Sequence, residues 1–216
     1  MKLPTYSMAL GALLLVSCAP ERSANQAESS TDAADPAAPA TPVPPQADLQ
    51  PEPMANASAP LTAQGWGPLR IGMTLAEVTR VLGPDANPDA VGGPDPESCD
   101  QFRPERAPKG MLVMIEDGRL TSVSLIDDSP IATDRGLRVG DDAAAVTKAY
   151  GAELVTSPHK YQDPPAAYLT WWTTGPKDDW VQDVAARGIR YVLGGEGTVE
   201  TIQAGGPSIQ YVEGCA

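Results

Sequence analysis

His159 is the only histidine in this chain of 216 residues, and it sits in the run Ser157-Pro158-His159-Lys160-Tyr161. Beside Ser157 it has the residue types of a base and a nucleophile. The rest of such a site is missing. No Gly-x-Ser-x-Gly elbow occurs, and no carboxylate is fixed by spacing as an orienting partner. A lone histidine cannot build a histidine-rich zinc site. Asp85-Ala86-Asn87-Pro88-Asp89 opens like a calcium loop. It then fails, because Ala90 replaces the turn glycine and Pro96 stands where the bidentate glutamate is needed. The acid pairs Asp127-Asp128, Asp141-Asp142 and Asp178-Asp179 read as loop and helix-start acids, which the helix dipole favours. Gly194-Gly195-Glu196-Gly197 reads as a turn, not as a phosphate cradle. The sequence therefore predicts a non-enzymatic protein with no metal and no cofactor.

Cysteine chemistry is more informative. Lys2 is followed by an apolar run from Met8 to Val16, nine residues long, and then Ser17-Cys18. That run has the length of a signal-peptide core and is too short to span a bilayer. Leu15-Val16-Ser17-Cys18 resembles the bacterial lipobox. The resemblance implies a signal peptide over 1–17, cleavage before Cys18, a diacylglyceryl group on its sulfur and an N-linked acyl chain such as palmitate. Two or more buried chains hold a protein stably on a membrane. Ala19 after the cysteine, in place of Asp, implies sorting to the outer membrane. With Cys18 lipidated, Cys99 and Cys215 remain as a pair in an exported protein, and a disulfide is expected between them. It closes a loop of over 100 residues, for which chain entropy gives roughly 4 to 5 kcal/mol.

The best claim to ligand binding belongs to aromatic residues. Trp171 and Trp172 are adjacent in a predicted strand, where neighbours point to opposite faces. One is expected in the core; the other is either an exposed anchor for a protein or a sugar ring, or is buried beneath a further helix. Tyr161, His159 and Tyr168 extend the candidate binding face.

These residues need a scaffold. Residues 19–63 hold nine prolines and thirteen alanines without hydrophobic periodicity. Such a segment cannot offset its ordering entropy by burial, so 18–63 reads as a lipidated, Pro/Ala-rich linker. Beyond it lies a region of about 150 residues. The chain carries a net charge of −13, which argues against nucleic acid as a partner. Leu69 to Gly83 aligns without gaps on Leu137 to Gly151, identical at seven of fifteen positions. Each copy reads as a short extended piece, a glycine and an amphipathic helix. Thr74 with Glu77 forms a capping box, Asp142 is the second cap, and Gly83 and Gly151 are stops. Leu75, Val78 and Leu82 share one face, as do Val146, Ala149 and Tyr150. Met111–Ile115 and Leu120–Ile126 read as a hairpin about Asp117-Gly118, and Ile189–Leu193 and Thr198–Ala204 as its second copy. Tyr168–Thr173 and Ser208–Val212 are further predicted strands, and Asp178–Arg187 a further helix. The expected fold is α+β: two tandem helix-plus-antiparallel-hairpin repeats, 64–130 and 131–216, with helices on one face of a sheet.

The repeated motif, hydrophobic-x-hydrophobic-Gly-Met-Thr-x-x-x-Val-x-x-x-Leu-Gly in its first copy, resembles small outer-membrane assembly lipoproteins and tandem-repeat β-lactamase inhibitor proteins. A looser resemblance, through His159-Lys160-Tyr161 and the Tyr211 to Cys215 ending, is to exported lectin-like proteins. Together these imply an envelope lipoprotein that is lipid-anchored, outer-membrane and periplasm-facing, and that binds a protein partner. The alternatives are a carbohydrate- or peptidoglycan-binding lipoprotein and a hydrolase inhibitor.

Overall fold

The computed structural model describes residues 58–90, 93–177 and 179–215. The expected signal peptide, Cys18 and the expected linker up to residue 57 lie outside them. No helix among the described residues is long and apolar enough to cross a membrane.

The Asp117-Gly118 turn joins β4 (Met111–Glu116) to β5 (Arg119–Leu125). Both turn residues have positive φ, 47° and 71°, the pairing that matches the twist of a tight hairpin. The second hairpin joins β8 (Gly188–Leu193) to β9 (Val199–Gly205). β5 pairs with β9, so the hairpins form one sheet rather than two. Close approach demands glycine at that seam: a Cβ on Gly205 would stand 2.2 Å from the Thr121 carbonyl oxygen. β3 (Cys99–Phe102) adds to the outer side of β4, and β7 (Ala167–Trp172) and β6 (Leu154–Pro158) add beyond β8. The result is a seven-stranded sheet in the order β3-β4-β5-β9-β8-β7-β6, with every pairing antiparallel.

This corrects the expected architecture. The chain is not two helix-plus-hairpin repeats packed on a sheet. Among the described residues it is mostly one continuous antiparallel sheet, with two α-helices of eight residues, α1 (Leu75–Leu82) and α2 (Ala143–Tyr150). A helix of that length rises only about 12 Å and cannot roof seven strands. β1 (Leu61–Thr62) and β2 (Gly65–Trp66) share the covering, with Leu61 and Trp66 fully buried. The fold thus begins before Gln64.

Thr74 caps α1, and Glu77 reaches back to the Thr74 N–H at 2.8 Å, completing the capping box. Those bonds hold the Glu77 carboxyl below its ordinary pKa. Asp142 caps α2 by accepting from the Ala145 N–H at 2.7 Å. The aligned stretches make matching backbone bonds: Leu75 N–H to the Gly118 carbonyl and Ala143 N–H to the Gly197 carbonyl. Val78, Leu82, Val146 and Tyr150 are buried in the main core, whereas Leu75, in the first turn, is 43 % exposed.

Two further predicted elements are absent. Residues 179–187 are not helical. The Asp183 carboxylate accepts from the Ala185 N–H, a local turn bond that competes with helix. The Gln210 side chain brackets Val181, accepting from its N–H and donating to its carbonyl. Ser208–Val212 is not a strand, because Pro207 starts a 3-10 turn, Pro207–Gln210. Its Ile209 is buried with Trp172 and Ala186 in a second, smaller core on the opposite face of the sheet.

Candidate functional site

Along β7 the side chains alternate. Trp172 points into the smaller core and is 2 % exposed. Trp171 lies on the main-core side against Tyr150, ring centroids 5.4 Å apart. Its indole N–H donates to Glu153 Oε2 at 2.9 Å, and the Arg135 guanidinium lies over both rings. Tyr150 in turn shares a buried hydroxyl–hydroxyl bond of 2.9 Å with Tyr191. Burial raises the pKa of both phenols. The two adjacent tryptophans therefore face opposite ways, and both are held by neighbours.

His159, Tyr161 and Tyr168 come together at the far end of β6 and β7. His159 Nδ1 accepts from the N–H groups of Tyr161 and Gln162, at 3.2 and 3.1 Å. Its ring stacks on Tyr168 with centroids 4.8 Å apart. Tyr168 is buried, and the Arg190 guanidinium lies 3.7 Å above its ring centroid. Tyr161 is 61 % exposed.

Arg190 carries this cluster through to another part of the molecule. It is 6 % exposed, and its Nη1 donates to the Ile209 carbonyl at 3.0 Å. Burial pulls its pKa down to about 10, so the charge persists at neutral pH. Lys160 adds an ion pair to Glu213 in the C-terminal segment at 3.4 Å. Arg190 thus braces the Pro207–Gln210 turn, and Lys160 of the histidine loop braces the tail that follows.

Across that turn from Arg190 lies a groove of about 580 Å³. Ile71-Gly72 and the start of β5 form one side, residues 180–187 the other, and Gly206 to Ser208 with Tyr211 close the end. Trp180 is 57 % exposed and Val184 83 %. The Trp180 and Tyr211 rings are stacked, with planes 12° apart and centroids 6.1 Å apart. Glu116, Asp117, Arg119 and Arg187 supply two acids and two bases to the lining. Arg119 Nη1 is fixed on the Gly72 carbonyl, and Arg187 Nη1 on the Val184 and Ala186 carbonyls. The buried Ser208 Oγ has no hydrogen-bond partner. Burial raises the Tyr211 pKa, helped by the charge of its hydrogen-bond partner Glu116.

Cys99 and Cys215 are joined, with Cα atoms 5.4 Å apart and a sequence separation of 116. This bond ties the tail, and with it Tyr211, to the edge strand β3. The sequence reasoning missed the groove because Trp180 reads as part of a helix and Tyr211 as part of a strand. The signal that remained was a tyrosine four residues before a tail cysteine. Comparison of the chain with protein-family models, with curated proteins and with solved structures finds no match in any of the three.

Proposed function

We propose that the chain is a lipid-anchored, non-enzymatic binding module of the bacterial cell envelope. Acylated Cys18 holds it to the membrane, on the periplasmic side of the outer membrane, and the Pro/Ala-rich segment spaces the folded region from the bilayer. The groove beneath Trp180 and Tyr211 is its binding site for an envelope partner. One observation carries this reading: a groove of about 580 Å³ is lined by the exposed Trp180 and by the half-buried Tyr211 stacked on it. Large exposed apolar groups over a concavity with a few convergent polar atoms are what a ligand site requires. A protein partner, the sequence-based expectation, would seat an apolar side chain there. Support for a non-enzymatic role comes from His159, whose Nδ1 is occupied by two backbone N–H groups.

Two experiments test the reading. Replacing Cys18→Ser moves the chain from the membrane fraction to the soluble fraction and removes the acyl mass. The full chain in detergent retains envelope material, and Trp180→Ala loses it while Tyr161→Ala does not. Equal retention by wild type and Trp180→Ala rejects the groove as the site.

A further inference from the structure

We propose that two copies of this chain pair edge to edge through β6, as an antiparallel dimer whose two-fold axis passes through Thr156. The groove takes no part in this contact. An open sheet of seven strands has two edges, and an unpaired edge invites another strand. The two edges here differ. Beside β3, the Cys99 N–H donates to the Asp95 carbonyl, the Arg103 carbonyl accepts from the Ala86 N–H, and Asp85 bridges to Pro104. Cys215 is bonded to Cys99, and Asp100 puts a charge within the strand. In contrast β6, Leu-Val-Thr-Ser-Pro, has no charged side chain, and its Thr156, Ser157 and Pro158 are exposed. Among the described residues, β7 is the only hydrogen-bond partner of the backbone from Val155 to Pro158.

Proline settles which backbone groups point outward. Pro158 pairs with Ala167 but has no N–H, so it occupies a non-hydrogen-bonded position of the β6–β7 ladder. That phase recurs at every second residue, so the N–H and C=O of Thr156 point away from β7. The Leu154 N–H, in the same phase, donates to the Gly151 carbonyl. Thr156 therefore holds the one free outward N–H of β6.

Self-complementarity selects a second copy as the occupant. Glu153 precedes the strand, Lys160 follows it, and both are exposed. An antiparallel copy centred on Thr156 overlaps all five residues. The two Thr156 residues exchange a reciprocal pair of N–H···O bonds, with Leu154 opposite Pro158 and Val155 opposite Ser157. Glu153 of each copy comes beside Lys160 of the other, so the charge match occurs twice. A parallel copy would put acid beside acid. The two-fold contact closes on itself, and with β3 covered no edge is left to propagate a fibre.

The test is sedimentation equilibrium of the full chain in density-matched detergent, together with amide hydrogen exchange. The mass rises from one chain to two with concentration, and over the same range the Thr156 amide becomes protected about tenfold or more. Thr156→Pro deletes the outward N–H and leaves the β7 ladder intact, and Thr156→Lys adds a charge to the edge. Each weakens association about tenfold or more. Near-ultraviolet circular dichroism shows that the fold is kept; should Thr156→Pro unfold, Thr156→Lys decides alone. A short bis-maleimide joins two chains carrying Thr156→Cys but not two carrying Val184→Cys, an exposed position in the groove. Four results each overturn β6 pairing: a chain monomeric at every concentration, a Thr156 amide whose exchange ignores concentration, a dimer that survives the folded Thr156 variants, or joining through Val184→Cys in place of Thr156→Cys. If the Thr156 variants instead release a different envelope protein from a monomeric chain, the edge belongs to that protein and the dimer is likewise overturned.

Discussion

Tyr211 stacks on Trp180 with their planes 12° apart, and four residues later Cys215 is bonded to Cys99. The C-terminal segment is therefore a wall of the groove rather than a loose end. Its backbone makes few bonds of its own: the Tyr211 N–H donates to the Ser208 carbonyl. The covalent bond, the Lys160–Glu213 pair and the Tyr211–Glu116 contact hold the rest.

The disulfide variant Cys99→Ser/Cys215→Ser is accordingly expected to lose stability. A loop of 116 residues corresponds to about 4 to 5 kcal/mol in the chain-entropy model. For a fold of this size that lowers Tm by roughly 10 to 15 °C, read by calorimetry. Trp180 emission moves to the red as Tyr211 leaves its ring. An unchanged Tm shows that the tail is held without the bond.

The helix caps give a smaller effect of known sign. Thr74→Ala removes the two bonds of the Thr74 hydroxyl, from the Glu77 N–H and to the Glu77 carboxylate, while the Thr74 N–H keeps its bond to Glu77, and Asp142→Ala removes the bond to the Ala145 N–H. Each is expected to cost about 1 kcal/mol in urea titration, and Thr74→Ser much less. Because the helices are only eight residues long, tertiary packing dominates their stability, and no larger loss is expected.

Asp100 sets a pH dependence. It sits in edge strand β3, and burial, followed by the charge of Asp85, raises its carboxyl pKa above the ordinary value of 3.8. The folded state therefore binds this proton more tightly than the unfolded state. Stability from this group is fully present below pH 3.8 and is lost as pH rises through the raised folded value. Asp100→Asn is expected to be more stable than wild type at pH 7, with the gap closing below about pH 4. A gap that widens on acidification contradicts the assigned cause.

What the sequence made legible follows from which signals are local. The Asp117-Gly118 hairpin, the Thr74 and Asp142 caps and the Val78/Leu82 face depend on neighbours a few residues away, and they appear where expected. The Cys99–Cys215 bond was legible by parity alone. The architecture was not. Pairing of β5 with β9 joins the halves into one sheet, and no local pattern encodes it. β3, Cys-Asp-Gln-Phe, lacks apolar alternation and was invisible as a strand. At residues 179–187 the 3.6-residue spacing of Trp180, Val181 and Val184 imitated a helix, but Gln210 captures Val181 from 29 residues away. The candidate site followed the same rule. Trp171 and Trp172 diverge as strand neighbours must, yet Tyr150, Arg135 and the smaller core cover them, and the stacked pair of exposed Trp180 and half-buried Tyr211 comes from two irregular segments.

The most direct measurement follows the four indole N–H resonances of Trp66, Trp171, Trp172 and Trp180 in nitrogen-15-labelled full chain as detergent-solubilised envelope extract is added. The account predicts that the Trp180 indole shifts and saturates while Trp66, Trp171 and Trp172 stay in place. A Trp180 resonance that does not move while that of Trp171 does would contradict it.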